Sequence, residues 1–206
     1  MEKETSKLKI LRSAQALFCE KGFKGASVRA IAKEAQVNIA SISYYFGGKR
    51  ELYVECLQSF GKQTLVEAKK LLEGDYTPAS TRNRLMIFTE HMVRKYLDNP
   101  ELVQLVLKEV ENSKEHAHNE AIDSLLEIFE YLKKFFEKLG ENSILKPELK
   151  PEIVASLYMG ALSHAICRDQ VKERLTGFSL RSDNEYAQSF IEHITEVYFR
   201  GILYED

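Results

Sequence analysis

SVRAIAKEAQVNIASISYYFGGKREL, residues 27–52, decides how this chain folds. Its opening residues set Val28, Ile31, Ala32 and Ala35 at helical spacing, and Ser27 stands in front of them with a hydroxyl able to accept from the free amides of a first turn. After a break of about three residues around Gln36 and Val37, Asn38 offers a second capping side chain and IASISYYF follows. Two short helices joined by so tight a turn cannot lie side by side. They must cross steeply, as in a helix-turn-helix.

The second of these helices has an unusual surface. Val37, Ile42, Tyr45 and Phe46 are spaced to pack inward, which leaves Ile39, Ala40, Ser41, Ser43 and Tyr44 facing out. Small side chains let a helix backbone approach another surface closely, and serine and tyrosine add hydrogen bonds and an apolar edge. The major groove of DNA is such a surface; a plain polar surface helix is the alternative. Upstream, TSKLKILRSAQALFCEKG places Ile10, Ala14, Leu17 and Phe18 on one helical face and ends at Gly22. The first fifty residues therefore read as three short helices.

Charge singles out the same segment. Residues 1–50 carry ten Lys and Arg against four acids, a net +6, whereas the remaining 156 residues carry a net −8. A basic head on an acidic body suits a module that contacts phosphates locally. With 206 residues, 44% hydrophobic and 29% charged, the chain can bury a core, and 4 prolines and 10 glycines give no sign of a large disordered tract. No stretch approaches the roughly 18 apolar residues of a membrane span, and MEKETSKLKIL is charged where a signal peptide would be apolar. A cytoplasmic protein without membrane partners is the expectation. Cys19, Cys56 and Cys167 lie far apart without CxxC pairing, so reduced thiols are expected rather than a disulfide framework or a zinc site.

Residues 27–52 resemble the DNA-binding signature of TetR-family transcriptional repressors: a capped second helix, a tight turn, a recognition helix ending in Tyr-x-Phe, and a Lys opening a long fourth helix. The resemblance extends over residues 6–55, and beyond them only to the helical layout. It implies that Arg29 contacts a base or phosphate, that Ala40, Ser41, Ser43 and Tyr44 form the base-facing side, that Tyr45 contacts the backbone, and that Lys49 anchors a phosphate. Together with the capping residues Ser27 and Asn38, these make up the candidate DNA-binding set. Free amides at the start of the fourth helix would add to Lys49. This chain departs from the family pattern at Gln36, where glycine is common, so a slightly different turn is expected. It departs also at Ser43, where an aromatic residue is frequent.

From Lys49 onward long helices alternate with punctuation, and no strand-like alternation persists, so an all-α fold of about nine helices is expected. The division expected is a helix-turn-helix head over 1–48 and a larger ligand-binding and dimerisation body over 49–206. The fourth helix should run from Lys49 to Glu73. Thr77-Pro78 and Asn99-Pro100 should open the fifth and sixth. Ile122, Leu125, Leu126, Phe129, Leu132, Phe136 and Leu139 draw a stripe on a seventh helix, about 117–139, and GENSILKPELKP is a loop.

Two last helices are expected, about 151–175 and 183–203, with apolar groups spread beyond one stripe. The resemblance implies a homodimer through these two helices, whose symmetry would match a palindromic double-stranded DNA operator. It favours a small-molecule inducer, for which Phe88, His91, Met92, Tyr96, Phe129 and His164 are the candidate ligand-binding residues. No GxxxxGKS, GxGxxG or HExxH motif is present, and no cofactor, metal or catalytic activity is expected. Glu111, Glu115 and His118 could share a helical face that holds a divalent metal. A helical carrier or enzyme with a vestigial head, and a redox switch through Cys19 or Cys56, are the competing readings.

Overall fold

A computed structural model describes residues 5–111 and 119–202, apart from the side chains of residues 108, 110, 111, 119–122, 124 and 125. The described residues form ten α-helices and no strand: α1 (Ser6–Gly25), α2 (Val28–Glu34), α3 (Ala40–Phe46), α4 (Lys49–Leu72), α5 (Pro78–Asp98), α6 (Pro100–Glu111), α7 (Asn119–Glu141), α8 (Pro151–Cys167), α9 (Asp169–Thr176) and α10 (Asn184–Ile202). The all-α expectation holds, with one more helix than the sequence suggested. The chain divides into two compact units, Met1–Gln63 with Glu101–Leu125, and Thr64–Pro100 with Leu126–Asp206.

In the first unit α1 packs on α2 and α3. Ile10, Ala14, Leu17 and Phe18 of α1 are buried as their spacing required, with Ile31 and Ala32 of α2, Ile42 of α3 and Leu52, Tyr53, Cys56 and Leu57 of α4. Leu102 and Val106 of α6 complete this core. The compact unit thus reaches past residue 48 and recruits a helix from far along the chain. Helical geometry breaks at Gly22 (φ 68°, ψ 173°), and one further turn carries α1 to Gly25.

In the second unit α5 lies along α10 and meets α8. Thr77 accepts from the Ser80 amide at 3.2 Å and Pro78 occupies the first turn of α5, as the sequence indicated. Below that cap Arg84 is almost fully buried. Its guanidinium donates to the Leu72 carbonyl at 2.7 Å and to the Asp75 carbonyl, and lies over the rings of Tyr76 and Phe135 at 5.1 and 5.5 Å. The buried cation thereby meets the Leu72 carbonyl at the C-terminus of α4, where the helix dipole favours positive charge, and the Asp75 carbonyl just beyond it.

Two body expectations change. On α7 the buried face runs through Ile128, Leu132, Phe135, Phe136 and Leu139, while Leu126 is 53% exposed. Leu126 precedes Ile128 by two residues, about 200° around the helix, so it falls on the far side. Ile122 and Leu125 lie outside the described side chains.

The long eighth helix is broken at Arg168 (φ −101°, ψ 7°), and α9 starts at Asp169. The cause is tertiary. The fully buried Asp169 carboxylate accepts from the Leu180 amide at 2.7 Å and from the Tyr96 hydroxyl at 3.1 Å, which ties the α9–α10 connection back to α5. Apolar groups of the last helices do spread beyond one buried face: Leu157 of α8 and Val197 of α10 are exposed (60% and 68%), while Ala155 of α8 is buried.

Truncating Arg84 uncovers two carbonyls and leaves a void against two rings. Arg84→Ala is expected to destabilise the protein by roughly 2–4 kcal/mol, read as a lower urea midpoint. Arg84→Lys should recover less than half of that loss, because a point charge cannot span both acceptors.

Candidate nucleic-acid interface

The geometry of α3 is set by the residues around it. Ser27 caps α2 by accepting from the Ala30 amide at 3.1 Å. At the other end the Gln36 amide donates to the Lys33 carbonyl (3.2 Å) and the Val37 amide to the Ala32 carbonyl (3.0 Å). These are the paired bonds of a Schellman motif, which puts its C′ residue in the left-handed region, and Gln36 indeed has φ 54°. The expected difference in the turn is therefore absent: glutamine adopts the conformation that glycine takes more cheaply. Asn38 then accepts from the Ala40 amide at 2.9 Å and starts α3.

Only Ile42 of α3 is fully buried, while Val37 and Phe46 are half-buried. Ala40, Ser43 and Tyr44 face solvent and Ser41 is partly covered; Tyr44 is 82% exposed. Tyr45 was expected to pack inward, but it is 41% exposed and sits edge-on to Tyr44 at 5.0 Å. One residue beyond Tyr44 turns only about 100°, so Tyr45 stays at the margin of the same outward face. Arg29 on α2 is exposed, as is Ser27.

The glycine pair follows from local geometry. Gly47 closes α3 at φ 88°, donating its amide to the Ser43 carbonyl at 2.9 Å. At Gly48 the Glu51 carboxylate comes within 2.8 Å of where a Cβ would stand, so the amide end of α4 already carries an anion of its own. The expected phosphate site there is shared with Glu51. Lys49 opens α4 with its ammonium 4.7 Å above the Phe23 ring, a support that the sequence reading missed. Its signal is the aromatic residue between the two glycines of GFKG.

The ligand candidates are less concentrated, although all belong to the second unit. Phe88 and Tyr96 are fully buried, while His91, Met92 and Phe129 are half-buried. His91 Nε2 lies 2.9 Å from the Glu67 carboxylate, which also accepts from Lys95 at 2.6 Å. His164 is exposed on α8. Sequence reasoning missed Thr89 and Tyr158, whose hydroxyls meet at 2.6 Å beside Phe88. An open groove of about 450 Å³, lined by Leu145, Lys146, Pro147 and Pro151 among others, contains none of the six.

Among the described residues no three His, Cys, Asp or Glu side chains gather as a metal site, and the Glu111, Glu115 and His118 pattern lies outside the described side chains. Among the described residues no helix is long and apolar enough to cross a membrane. Burial, and secondarily Glu101, pushes the Cys19 thiol up to about 11, and burial raises the Cys56 thiol further. Both are protonated near neutral pH, the unreactive state for thiol oxidation.

Residues 10–56 match the family described as bacterial regulatory proteins, tetR family. Over 108 residues the chain is 35% identical to the probable HTH-type transcriptional regulator YttP of Bacillus subtilis (strain 168), covering 52% of each chain. Over 55 residues it is 46% identical to the HTH-type transcriptional dual regulator CecR of Shigella flexneri, covering 27% of this chain and 24% of that one. The chain spans about half the length of the first relative and about a quarter of the second. Its fold is similar to that of the transcriptional regulator FadR from Bacillus subtilis in complex with stearoyl-CoA, with a TM-score of 0.75 and 15% identity over 95% of this chain and 98% of that one. The match to the tetR family covers the N-terminal segment, and over the rest of the chain the likeness is one of fold.

Because Gln36 occupies a left-handed position, Gln36→Gly is expected to stabilise the protein by roughly 0.5–1 kcal/mol, net of the added chain entropy. The check is a raised urea midpoint at unchanged slope.

Proposed function

We propose that the protein is a ligand-responsive transcriptional regulator, a repressor that a small-molecule inducer releases from a palindromic operator. The observation that carries this reading is α3 itself: one buried anchor, Ile42, and an outward face of alanine, serine and a protruding Tyr44. Such a rod fits the width of a major groove. Residues 1–48 supply the DNA-binding head. Arg29, Ala40, Ser41, Ser43 and Tyr44 read or approach the bases, and Tyr45 and Lys49 hold the backbone, with Ser27 and Asn38 fixing the two helix starts.

Residues 49–206 supply the ligand-binding and dimerisation body. The inducer is taken up by the second unit near Phe88, His91, Met92, Tyr96 and Phe129, where aromatic surface meets the Thr89 and Tyr158 hydroxyls. The stearoyl-CoA bound by the FadR protein supports a ligand with substantial apolar surface. His164 belongs instead to the dimer face. Ile153, Leu157, Gly160 and His164 recur along one exposed side of α8, and His193, Val197 and Gly201 along one exposed side of α10. These faces would pair two-fold, and a dimer that holds its two recognition helices about 34 Å apart matches one turn of DNA. An inducer that prefers another spacing weakens operator binding by its differential affinity.

Gel shifts with a duplex enriched from genomic fragments by the wild-type protein test the head. Arg29→Ala is expected to weaken binding by roughly 1–3 kcal/mol, and Lys49→Ala to weaken it while reducing the salt slope by about one. Wild-type affinity in both variants would refute the assignment.

The dimer face has its own test. Leu157→Glu combined with Val197→Glu is expected to convert a dimer into a folded monomer in sedimentation, with operator affinity lost. A dimer that survives both charges would place the interface elsewhere.

A further inference from the structure

Lys49 does not stand alone at the start of α4. Its ammonium lies 4.7 Å above the ring of Phe23, and that ring packs at 5.0 Å against the ring of Tyr53. Tyr53 follows Lys49 by four residues on α4, hence on the same side of the helix. It is only 2% exposed, and it also meets Phe18 edge-on at 4.9 Å. The Phe23 ring beneath the ammonium is thus backed by the rings of Tyr53 and Phe18. A polar bond ties Tyr53 to α6: its hydroxyl donates to a carboxylate oxygen of Glu109 at 2.7 Å.

Glu109 belongs to α6, three residues past Val106, which is buried in the same core. A hydroxyl bound to a carboxylate makes a stronger bond than one between neutral groups. Burial, followed by the hydrogen bond to Glu109, raises the Tyr53 phenol above its ordinary value, so the hydroxyl remains a donor at neutral pH.

We infer that Tyr53 is a positioning residue for the phosphate anchor: Glu109 of α6 holds the Tyr53 ring, the ring holds Phe23, and Phe23 supports the Lys49 ammonium. The inference rests on the reading of Lys49 as a phosphate contact and names what sets its place. A displacement of Glu109 changes DNA affinity through Lys49 without moving α3. The coupling is specific, because it acts through one cation and should disappear when that cation is removed.

The test is a double-mutant cycle on the full-length protein, using a mixed-sequence duplex of about 30 base pairs at low salt, where phosphate contacts dominate binding. Tyr53→Phe keeps the ring and removes the hydroxyl. It is expected to weaken binding about fivefold in the wild-type background and to have no effect in a Lys49→Ala background. Glu109→Ala should reproduce Tyr53→Phe, whereas Glu109→Gln, which still offers an acceptor, should restore most of the affinity. Thermal unfolding identifies any variant that is not folded, and the Glu109 pair then stands in for Tyr53→Phe.

Equal losses from Tyr53→Phe with and without Lys49 would mean a general packing role and would overturn the inference. So would wild-type affinity in Tyr53→Phe and Glu109→Ala while Lys49→Ala binds weakly. If Lys49→Ala binds like wild type, or the wild-type protein fails to bind the duplex, the phosphate reading itself falls and the inference falls with it.

Discussion

The helix α3 is seven residues long, too short to persist in water alone, where about 12–15 residues are marginal. It is held by the burial of Ile42 in a core built by α1, α2, α4 and α6, with Val37 and Phe46 packed at its edge. Every other feature of the head follows from keeping that single anchor. The Schellman turn at Gln36 and the Asn38 cap fix where α3 begins, and Gly47 fixes where it ends. Because one inward residue suffices, the remaining positions are released from packing and can be small, polar or protruding. Stability has been moved off the helix and into its surroundings, which leaves the outward face open to chemistry.

The second unit solves a different problem, that of long helices whose ends need partners. Arg84 and Asp169 are both charged residues taken out of water, and both meet backbone. Arg84 serves the Leu72 carbonyl at the end of α4 and Asp169 receives an amide from the α9–α10 connection. Buried charges of this kind are expensive unless fully satisfied, and once satisfied they fix geometry that apolar packing leaves loose. The C-terminal end of α4 and the start of α9 are therefore set by single side chains rather than by local propensity.

Such single-residue control decides what could be read in advance. The capping residues Ser27, Asn38 and Thr77 were legible because a cap is a local event, complete within three residues. The buried face of α1 was legible because its neighbours cover it from one side. The break at Arg168 was not, because its cause lies in contacts to Leu180 and Tyr96 that no window around residue 168 contains. Leu126 was placed on a continuous stripe for the same reason: periodicity shows that a helix has an apolar side, not whether its own chain covers it. In the head, Tyr45 was misread by one helical step. The support of Lys49 by Phe23 was hidden in the chain's return after Gly22.

Tyr44 also gives the molecule an optical property. The chain has ten tyrosines and no tryptophan, so its ultraviolet emission comes from phenol rings without an indole to drain it. Tyr96 and Tyr158 are wholly shielded, whereas Tyr44 is 82% open and stands at the tip of α3. A collisional quencher dissolved in the buffer therefore reaches this ring far more readily than those two. The protein carries, without any label, a lamp on the outward face of α3.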